Sequence, residues 1–221
     1  MPASEMTHEP AAAEAARQVL EAVADETRAC ERCRLYASAS QAVPGDGPPG
    51  APLMFIGEAP GFHEDKQGRP FVGPAGRLLD ELLAGIGLRR ADVFVTNMVK
   101  HRPPGNRDPQ GDEIEACRAF LDRQIEAVDP RVVVTLGRFA MERFMPGAKI
   151  SQVHGKPRQL GGRTFVPILH PAAALHRADW RPMLEADFQA LKRVLDEGGA
   201  AGAPAAGEPD APPPGEQLSL F

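Results

Sequence analysis

The sequence is short of cysteine and of long apolar runs. Its 221 residues include only three cysteines, and no segment approaches the ~18 consecutive apolar residues typical of a membrane-spanning helix. The N-terminal residues lack the basic start and apolar centre of a secretory signal. We therefore expect a cytoplasmic protein in a reducing compartment with no membrane partner. We also expect it to act as a monomer.

The chain also lacks an excess of positive charge, which at first argues against a nucleic-acid partner. Its formal net charge is −5. The charges are unevenly placed, however: residues 1–29 carry −4 and residues 196–221 carry −5, which leaves +4 on residues 30–195. A mildly basic body between acidic ends can bind a polyanion, although this charge alone is weak support.

Composition divides the chain into four parts. Residues 1–29 are an N-terminal segment, predicted to be helical from about residue 11, and residues 30–197 form a folded body. Residues 198–216 are rich in Gly, Ala and Pro and have no aromatic or β-branched residue, which predicts a disordered linker. Residues 217–221, Gln-Leu-Ser-Leu-Phe, place three large apolar side chains at the end of that linker.

The folded body alternates strand and helix patterns. Short apolar runs typical of buried strands occur at 52–56, 92–99, 131–136 and 164–169. Apolar residues at helical spacing predict helices at 74–84, at about 112–128 and at about 181–195, with a short helix after the third strand. This order predicts an α/β fold with a four-stranded, mostly parallel sheet and helices on both faces.

Polar residues gather after the predicted strands, at the edge where open parallel sheets bind ligands. An amide can read the edge of a pyrimidine, a histidine N–H can hold negative charge on a departing base, and carboxylates can position water or stabilise a cationic sugar. Each residue alone has an ordinary structural interpretation, but their shared position favours a site for base chemistry. Gly57, Glu58, Ala59 and Glu64 follow the first strand, Asn97 lies near the end of the second, and His170 follows the fourth.

Four motifs resemble those of the type 4 uracil-DNA glycosylases, the iron–sulfur members of the uracil-DNA glycosylase superfamily. In chain order they are Gly57-Glu-Ala-Pro-Gly-Phe-His-Glu-Asp65, Gly68-Arg-Pro-Phe-Val-Gly73, Val95-Thr-Asn97 and His170-Pro-Ala-Ala-Ala-Leu175. The resemblance covers residues 30–195 approximately. It implies a three-layer α/β/α sandwich, residues 30–197 as the catalytic domain, and hydrolysis of the N-glycosidic bond of deoxyuridine in DNA as part of base excision repair.

The resemblance also assigns roles by position. Phe71 would stack on the flipped uracil, Asn97 would hydrogen-bond to its edge, and His170 would stabilise the uracil anion as it leaves. Glu58 and Glu64 are the candidates for ordering the attacking water or stabilising the sugar cation, and the sequence does not decide between them. The expected substrate-binding residues are Gly57, Ala59, Phe71 and Asn97, and the expected catalytic residues are Glu58, Glu64 and His170.

Basic and apolar side chains near this edge predict contacts with DNA. Lys100, Arg102 and Arg107 lie in a Pro/Gly-rich loop after the second strand, where they can contact phosphates. Leu175 stands where the family places an apolar side chain against or into the duplex, filling the space that a flipped base vacates. The competing interpretations are ordinary solvated charges in the loop and an ordinary buried leucine. A DNA substrate would place the protein at the nucleoid.

The three cysteines predict a metal site that needs a fourth ligand. Cys30-Glu-Arg-Cys33 follows a predicted helix and precedes a loop, which argues against a thioredoxin-like redox motif. In the resembled family four cysteines hold a [4Fe–4S] cluster, and His101 stands where the third is expected. We predict a [4Fe–4S] cluster held by Cys30, Cys33, His101 and Cys117, because imidazole can replace thiolate on iron. A cluster on the three cysteines alone, or a lost or different metal such as zinc, would also fit the pattern.

Three other functions fit parts of the sequence. A neighbouring group of glycosylases also has histidine after this strand, together with an inserted basic loop whose further histidine traps the sugar covalently. Residues 102–117 contain no histidine and no such insertion, which predicts turnover by water.

The second alternative is a non-catalytic iron–sulfur DNA-binding accessory of a DNA polymerase. The third is a small-molecule nucleotide hydrolase. The retained carboxylates, amide and histidine favour the glycosylase over the accessory.

The last five residues predict a second partner. Gln217-Leu-Ser-Leu-Phe221 resembles the short peptide by which bacterial replication and repair proteins dock into the DNA sliding clamp. Gln217, Leu218, Leu220 and Phe221 would fill its polar and apolar subsites. A flexible linker of roughly twenty residues would let the catalytic body reach DNA while tied to the clamp. The competing interpretation is a chain end without function.

Overall fold

The computed structural model describes residues 8–198. Five strands form the middle layer: β1 (Leu53–Gly57), β2 (Phe94–Asn97), β3 (Val132–Leu136), β4 (Arg158–Leu160) and β5 (Arg163–Ile168). The α-helices within these residues are α1 (His8–Arg28), α2 (Phe62–Gln67), α3 (Pro74–Gly85), α4 (Gly111–Val128), α5 (Arg138–Phe144), α6 (Ile150–Val153), α7 (Pro171–His176) and α8 (Arg181–Gly198). The predicted α/β fold is confirmed. The linker 198–216 falls outside the described residues apart from Gly198, and so does the peptide 217–221.

Three parallel pairings bring the site-bearing strands together. The sheet order is β2-β1-β3-β5-β4, and β1 pairs in parallel with β2 and β3, as β3 does with β5. Gly57 at the end of β1 lies in register with Asn97 at the end of β2. The carboxyl ends of these strands therefore share one edge of the sheet, where ligands are expected.

The sheet has one strand more than the four that were predicted. The fifth strand, β4, pairs antiparallel with β5 and forms the sheet edge. The two are joined by Gly161 and Gly162, both with positive φ, as two-residue hairpin turns require. β4 was missed because it is three residues long and exposed along its whole length, so it lacks the apolar alternation by which a strand is recognised.

Both faces of the central strands β1 and β3 are buried. Phe55 belongs to a core cluster that includes residues of α3 and α8, and its ring stacks on Phe188 at a centroid distance of 6.0 Å. Its neighbours Met54 and Ile56 point to the opposite face and join a second cluster with α4 and α5 residues. Burial on both sides explains why these strands are nearly continuous apolar runs in the sequence.

Helix α1 packs against α4. Val23 and Thr27 are fully buried, and Arg123 of α4 forms an ion pair with Glu26 at 2.5 Å. This helix therefore covers α4 rather than the sheet itself. Within the described residues, no helix is long and apolar enough to cross a membrane.

Candidate active site

A pocket of about 300 Å³ opens at the carboxyl ends of β1, β2 and β5. It gathers residues that are distant in sequence, and all but one of the predicted catalytic and substrate-binding residues line it directly. The exception, Gly57, lies beneath two of the lining side chains. The lining includes Glu58, Ala59, Glu64, Phe71, Asn97 and His170, together with Asn106 and Arg107 from the loop after β2.

The Asn97 side chain is buried without a hydrogen-bonding partner. Only 1% of the residue is exposed, and neither Nδ2 nor Oδ1 has a partner within the described residues. Most buried polar groups in native proteins are paired, since burying an unpaired one costs about 1–3 kcal/mol. An amide that faces a pocket with both groups free is arranged to bind a ligand that offers a donor and an acceptor.

Gly57 makes room for the two side chains beside it. A Cβ at position 57 would lie 2.4 Å from Oδ1 of Asn97 and 2.6 Å from Cζ of Phe71. Any side chain there would push the amide or the ring out of place. The structure therefore gives Gly57 a steric role in the site, since its missing side chain lets Phe71 and Asn97 approach each other.

His170 is held as a neutral imidazole with a defined tautomer. Its Nδ1 accepts a hydrogen bond of 3.2 Å from the backbone N–H of Ala172, so the ring proton must be on Nε2. Burial lowers the pKa of His170 to about 4, and the Glu64 carboxylate only partly offsets this. The ring lies 5.8 Å from that of Phe71, at an interplanar angle of 30°. His170 therefore offers the pocket an N–H donor that does not depend on protonation near neutral pH.

Glu64 is committed to holding the backbone of the site. Its Oε1 accepts hydrogen bonds from the N–H groups of Val72 (2.9 Å) and Gly73 (2.8 Å). Its Oε2 accepts a further bond of 3.2 Å from the N–H of Gly61, at the start of α2. These bonds occupy both oxygens, so Glu64 fixes the segment after Phe71 and is poorly placed to serve a water molecule as well.

Glu58 has the electrostatic environment of a catalytic base. Burial raises the pKa of its carboxyl group to about 7, with a further increase from the negative charge of Asp108 and a decrease from Arg138. These two residues form an ion pair at 2.5 Å beyond the pocket. A carboxylate whose pKa is close to neutral is suited to accept a proton from water at physiological pH.

Sequence comparisons identify the family. The model of the uracil DNA glycosylase superfamily matches residues 44–195. Type-4 uracil-DNA glycosylases from Saccharolobus solfataricus, Archaeoglobus fulgidus and Thermotoga maritima are 47%, 44% and 40% identical to this chain. The matches cover 80%, 78% and 82% of this chain and 86%, 91% and 97% of those relatives.

The chain belongs to the type-4 uracil-DNA glycosylases. The family predicted from four short motifs is thereby confirmed, and with it the assignment of the chain as a uracil-DNA glycosylase that acts in DNA repair.

Lys100 of this glycosylase does not lie where a phosphate contact requires. The residue is fully buried, and its Nζ donates hydrogen bonds of 2.7 Å each to Thr96 Oγ1, Asn97 O and Gln124 Oε1. Burial lowers the pKa of Lys100 to about 7. The structure therefore does not support the predicted DNA contact. It shows instead a side chain that fastens the end of β2, which carries Asn97, to α4.

The remaining predicted DNA-binding residues lie near the surface beside the pocket. The Arg102 guanidinium lies 5.2 Å from the centre of the exposed Phe62 ring, and its Nε donates to Asn106 Oδ1 at 2.6 Å. Arg107 donates two hydrogen bonds, of 2.6 and 2.8 Å, to the buried carboxylate of Glu113. Leu175, on α7 just after His170, is 46% exposed. These positions are compatible with contacts to DNA around the pocket, which stay a prediction.

The three cysteines of this glycosylase lie in one region of the structure. Cys117 is buried in a small apolar cluster against which Cys33 packs. Burial raises the pKa values of both thiols, and nearby Cys30 raises them further. The backbone N–H of Lys100, the residue before His101, lies close enough to the Cys117 thiol to offset part of that increase in its pKa. His101 itself is buried, which lowers its pKa, and the negative charge of Asp65 partly offsets this.

Residues around the site were missed by sequence reasoning because they act through other residues. Asp108 and Arg138, which tune the pKa of Glu58, belong to no motif and are distant in sequence. Asp187 of α8 is buried, bonds to His154 Nδ1 at 2.9 Å and lies near the backbone N–H of Leu169. It thus supports the segment immediately before His170. No local pattern in the sequence indicates these pairings.

Proposed function

We propose that this pocket hydrolyses the N-glycosidic bond of deoxyuridine in DNA, releasing uracil and leaving an abasic site for base excision repair. The observation that carries the proposal is the unpartnered, buried amide of Asn97. The edge of uracil presents a carbonyl acceptor beside an N3–H donor, which complements Nδ2 and Oδ1 of an asparagine. A flipped uracil would therefore satisfy both groups that the free protein leaves unpaired.

Phe71 and His170 would act on the uracil ring from two directions. The Phe71 ring lines the pocket, where a flipped base can stack on it. Nε2–H of His170 would donate a hydrogen bond to a uracil oxygen and stabilise the negative charge that develops as the base leaves. A neutral donor serves this purpose well, since uracil departs as an anion and keeps the electron pair of the broken bond.

Glu58 would order the attacking water. Once ionised, its carboxylate can accept a proton from that water while the oxygen bonds to the anomeric carbon and the bond from that carbon to uracil breaks. The same negative charge stabilises the cationic sugar of the transition state. Glu64 would keep its observed structural role, because its oxygens are occupied by three backbone N–H groups.

The proposal is tested by incubating the protein with an oligonucleotide that carries a single uracil and then treating it with alkali. We expect strand cleavage at the uracil position by the wild type and none when thymine replaces uracil. His170→Ala should lower the rate about 10²–10³-fold, since it removes one transition-state donor. A denaturation-resistant protein–DNA adduct would contradict hydrolysis by water. DNA binding without cleavage would favour the non-catalytic accessory.

We further propose that Arg102, Arg107 and Leu175 contact the DNA around the flipped base. Arg102 is half-buried and Leu175 is exposed beside the pocket, where a guanidinium can bind phosphate and a leucine can fill the gap in the duplex. Arg107 lines the pocket directly. A DNA substrate favours a cytoplasmic, nucleoid-associated enzyme, and we propose that it acts as a monomer.

We also propose that Cys30, Cys33, His101 and Cys117 hold a [4Fe–4S] cluster. The proposal is supported by chemistry and location, because Cys33 packs against the cluster that contains Cys117, and Cys30 and the backbone of Lys100, next to His101, are close enough to act on the Cys117 thiol. Within residues 8–198, no three His, Cys, Asp or Glu side chains are arranged to hold a single metal ion. A four-iron cluster differs in this respect, since each of its ligands binds a separate iron. The bound cluster would supply a rigid link between the segments that carry these ligands.

The cluster proposal predicts a specific metal content. Protein purified without oxygen should contain roughly four irons per chain, with a nitrogen ligand detectable by pulsed electron paramagnetic resonance of the reduced cluster. His101→Ala should abolish the nitrogen signal. His101→Cys should retain the iron and lower the reduction potential, because thiolate adds a negative charge to the ligand set. Active protein without iron would contradict the proposal, as would a nitrogen signal that survives His101→Ala.

The C-terminal peptide, which lies outside the described residues, is proposed to bind the bacterial sliding clamp. Gln217, Leu218, Leu220 and Phe221 match the polar and apolar pattern of clamp-docking peptides. Residues 198–216 would serve as the expected linker, whose length would let the catalytic domain move while it is tied to the clamp.

Removal of residues 217–221 should therefore weaken clamp binding without affecting catalysis. We expect at least a roughly tenfold lower affinity for purified clamp in surface plasmon resonance, since short peptides depend on a few anchor residues. Excision from a free oligonucleotide should be unchanged, which provides the internal control. An unaltered affinity of the truncated protein would rule out this partner site.

A further inference from the structure

Phe71 has a left-handed backbone, which is unusual for an aromatic residue. Its φ is 51°, a conformation that persists only where surrounding contacts enforce it. Gly76 in the first turn of α3 makes this possible, because a Cβ there would lie 1.8 Å from the carbonyl oxygen of Phe71. The direction in which the Phe71 ring points therefore depends on the other contacts that hold this turn.

Arg90 holds one side of the turn, opposite Glu64. Its Nη2 donates hydrogen bonds to the carbonyl oxygens of Pro70, at 2.6 Å, and Phe71, at 2.9 Å. Glu64 accepts from the two N–H groups that follow Phe71. The carbonyl oxygens of Pro70 and Phe71 thus accept hydrogen bonds from a cation, and the N–H groups of Val72 and Gly73 donate to an anion. Because these bonds are charge-assisted, they fix the peptide groups on both sides of Phe71.

The neighbouring arginine provides an internal comparison. Arg90 and Arg89 lie four and five residues before β2, yet their side chains point in different directions. The Arg90 side chain is 23% exposed and its Nη1 lies 3.5 Å from Asp80. The Arg89 side chain is 81% exposed and pairs with Asp92 at 2.7 Å. Only Arg90 of this pair reaches the Phe71 turn.

We propose that Arg90 is a positioning residue for uracil excision, which sets the Phe71 ring against the pocket by binding the carbonyls of Pro70 and Phe71. The inference rests on the proposed function, because it takes Phe71 as the stacking surface for uracil. Arg90 also lies on the segment that leads into β2, so it links the strand that carries Asn97 to the turn that carries Phe71. The stacking face and the amide are thereby held in a fixed relation.

The first test compares Arg90→Met, Arg90→Lys and the control Arg89→Met, below the melting temperature of every variant. Arg90→Met should lower kcat/KM for a uracil oligonucleotide about 10–100-fold and weaken inhibition by free uracil, since small displacements in a site have effects of this size. Arg90→Lys should recover part of the loss, because an ammonium can still donate to carbonyls. Arg89→Met should match the wild type. Equal kinetics for Arg90→Met and Arg89→Met would overturn the inference.

A double-mutant cycle with Phe71→Ala separates positioning from a general loss of stability. If Arg90 acts through the ring, Arg90→Met should cost no further kcat/KM once Phe71 is alanine. If the fold losses in kcat/KM of the two single variants multiply in the double variant, Arg90 acts elsewhere and the proposal is contradicted. Failure of the proposed function itself would look different, since the wild type would then not excise uracil at all.

Discussion

Replacing Asn97 by alanine should nearly abolish uracil excision while leaving the folded protein at least as stable as the wild type. The amide would contact the uracil edge, and removing such a donor typically costs about 10²–10³-fold in rate. In the free protein, however, the side chain is buried with neither group paired among the described residues. Alanine loses no hydrogen bond and removes an unsatisfied polar group. The measurements are single-turnover excision rates and thermal melting of the same preparation.

The opposite signs of the two effects make this prediction informative. A residue that merely supports the fold would lose activity and stability together when truncated. A clear fall in melting temperature for Asn97→Ala would therefore show that the amide has protein partners. Unchanged excision would show that uracil is read elsewhere. His170→Ala is the comparison for catalysis, since it also removes a proposed transition-state contact.

Because of Glu58, kcat/KM for excision should fall as the pH drops below about 7, which gives the pH profile an acid limb. The folded-state pKa of Glu58 is about 7, and the ionised form is the active one, so kcat/KM should rise with pH up to that value and then level off. His170, with a pKa of about 4, stays neutral throughout this range. Glu58→Gln should lose about 10²–10⁴-fold in rate and most of the pH dependence. The profile is measured with excess enzyme across pH 5–9.

The raised pKa of Glu58 also predicts how the free energy of unfolding changes with pH. The folded protein holds the Glu58 proton more tightly than the unfolded chain, in which the carboxyl group has its ordinary pKa of 4.5. Ionisation therefore destabilises the native state progressively as pH rises from about 4.5 to about 7, and the penalty is complete above that. Glu58→Gln removes the penalty and should raise the free energy of unfolding at pH 8 by on the order of 1 kcal/mol, since solvent screens the partly exposed carboxylate. At pH 4 the two proteins should unfold alike.

Two exposed residues offer matched tests of the Glu58 assignment. Asp108→Asn removes a negative charge that raises the pKa of Glu58 and should move the acid limb to lower pH. Arg138→Gln removes the charge that lowers it and should move the limb to higher pH. Because the two residues form an exposed ion pair, added salt should reduce both shifts. Shifts in the same direction, or no shift in either variant, would contradict the assignment of this limb to Glu58.

The sequence was sufficient for the sheet core and for the family, since both depend on local patterns. β1 and β3 are short apolar runs because they are buried on both faces, and the four motifs keep their order along the chain. The edge strand β4 was not predicted because it is short and exposed. Its Gly161-Gly162 turn is a hairpin signal only once a strand precedes it.

The roles of individual site residues required tertiary structure. Lys100 looks like a phosphate contact in the sequence because it begins a basic loop, whereas its ammonium group is enclosed by Thr96, Asn97 and Gln124. The choice between Glu58 and Glu64 depends on which carboxylate is already occupied by backbone N–H groups. That is decided by the path of residues 61–73, which no local pattern encodes.

A crystal structure of the protein with free uracil tests the central claim most directly. We expect the ring on Phe71, its N3–H and adjacent carbonyl paired with the Asn97 amide, and Nε2 of His170 within hydrogen-bonding distance of a uracil oxygen. Asn97→Ala crystals soaked in the same way should show weaker occupancy. Uracil bound outside this pocket, or bound within it without contact to Asn97, would contradict the account.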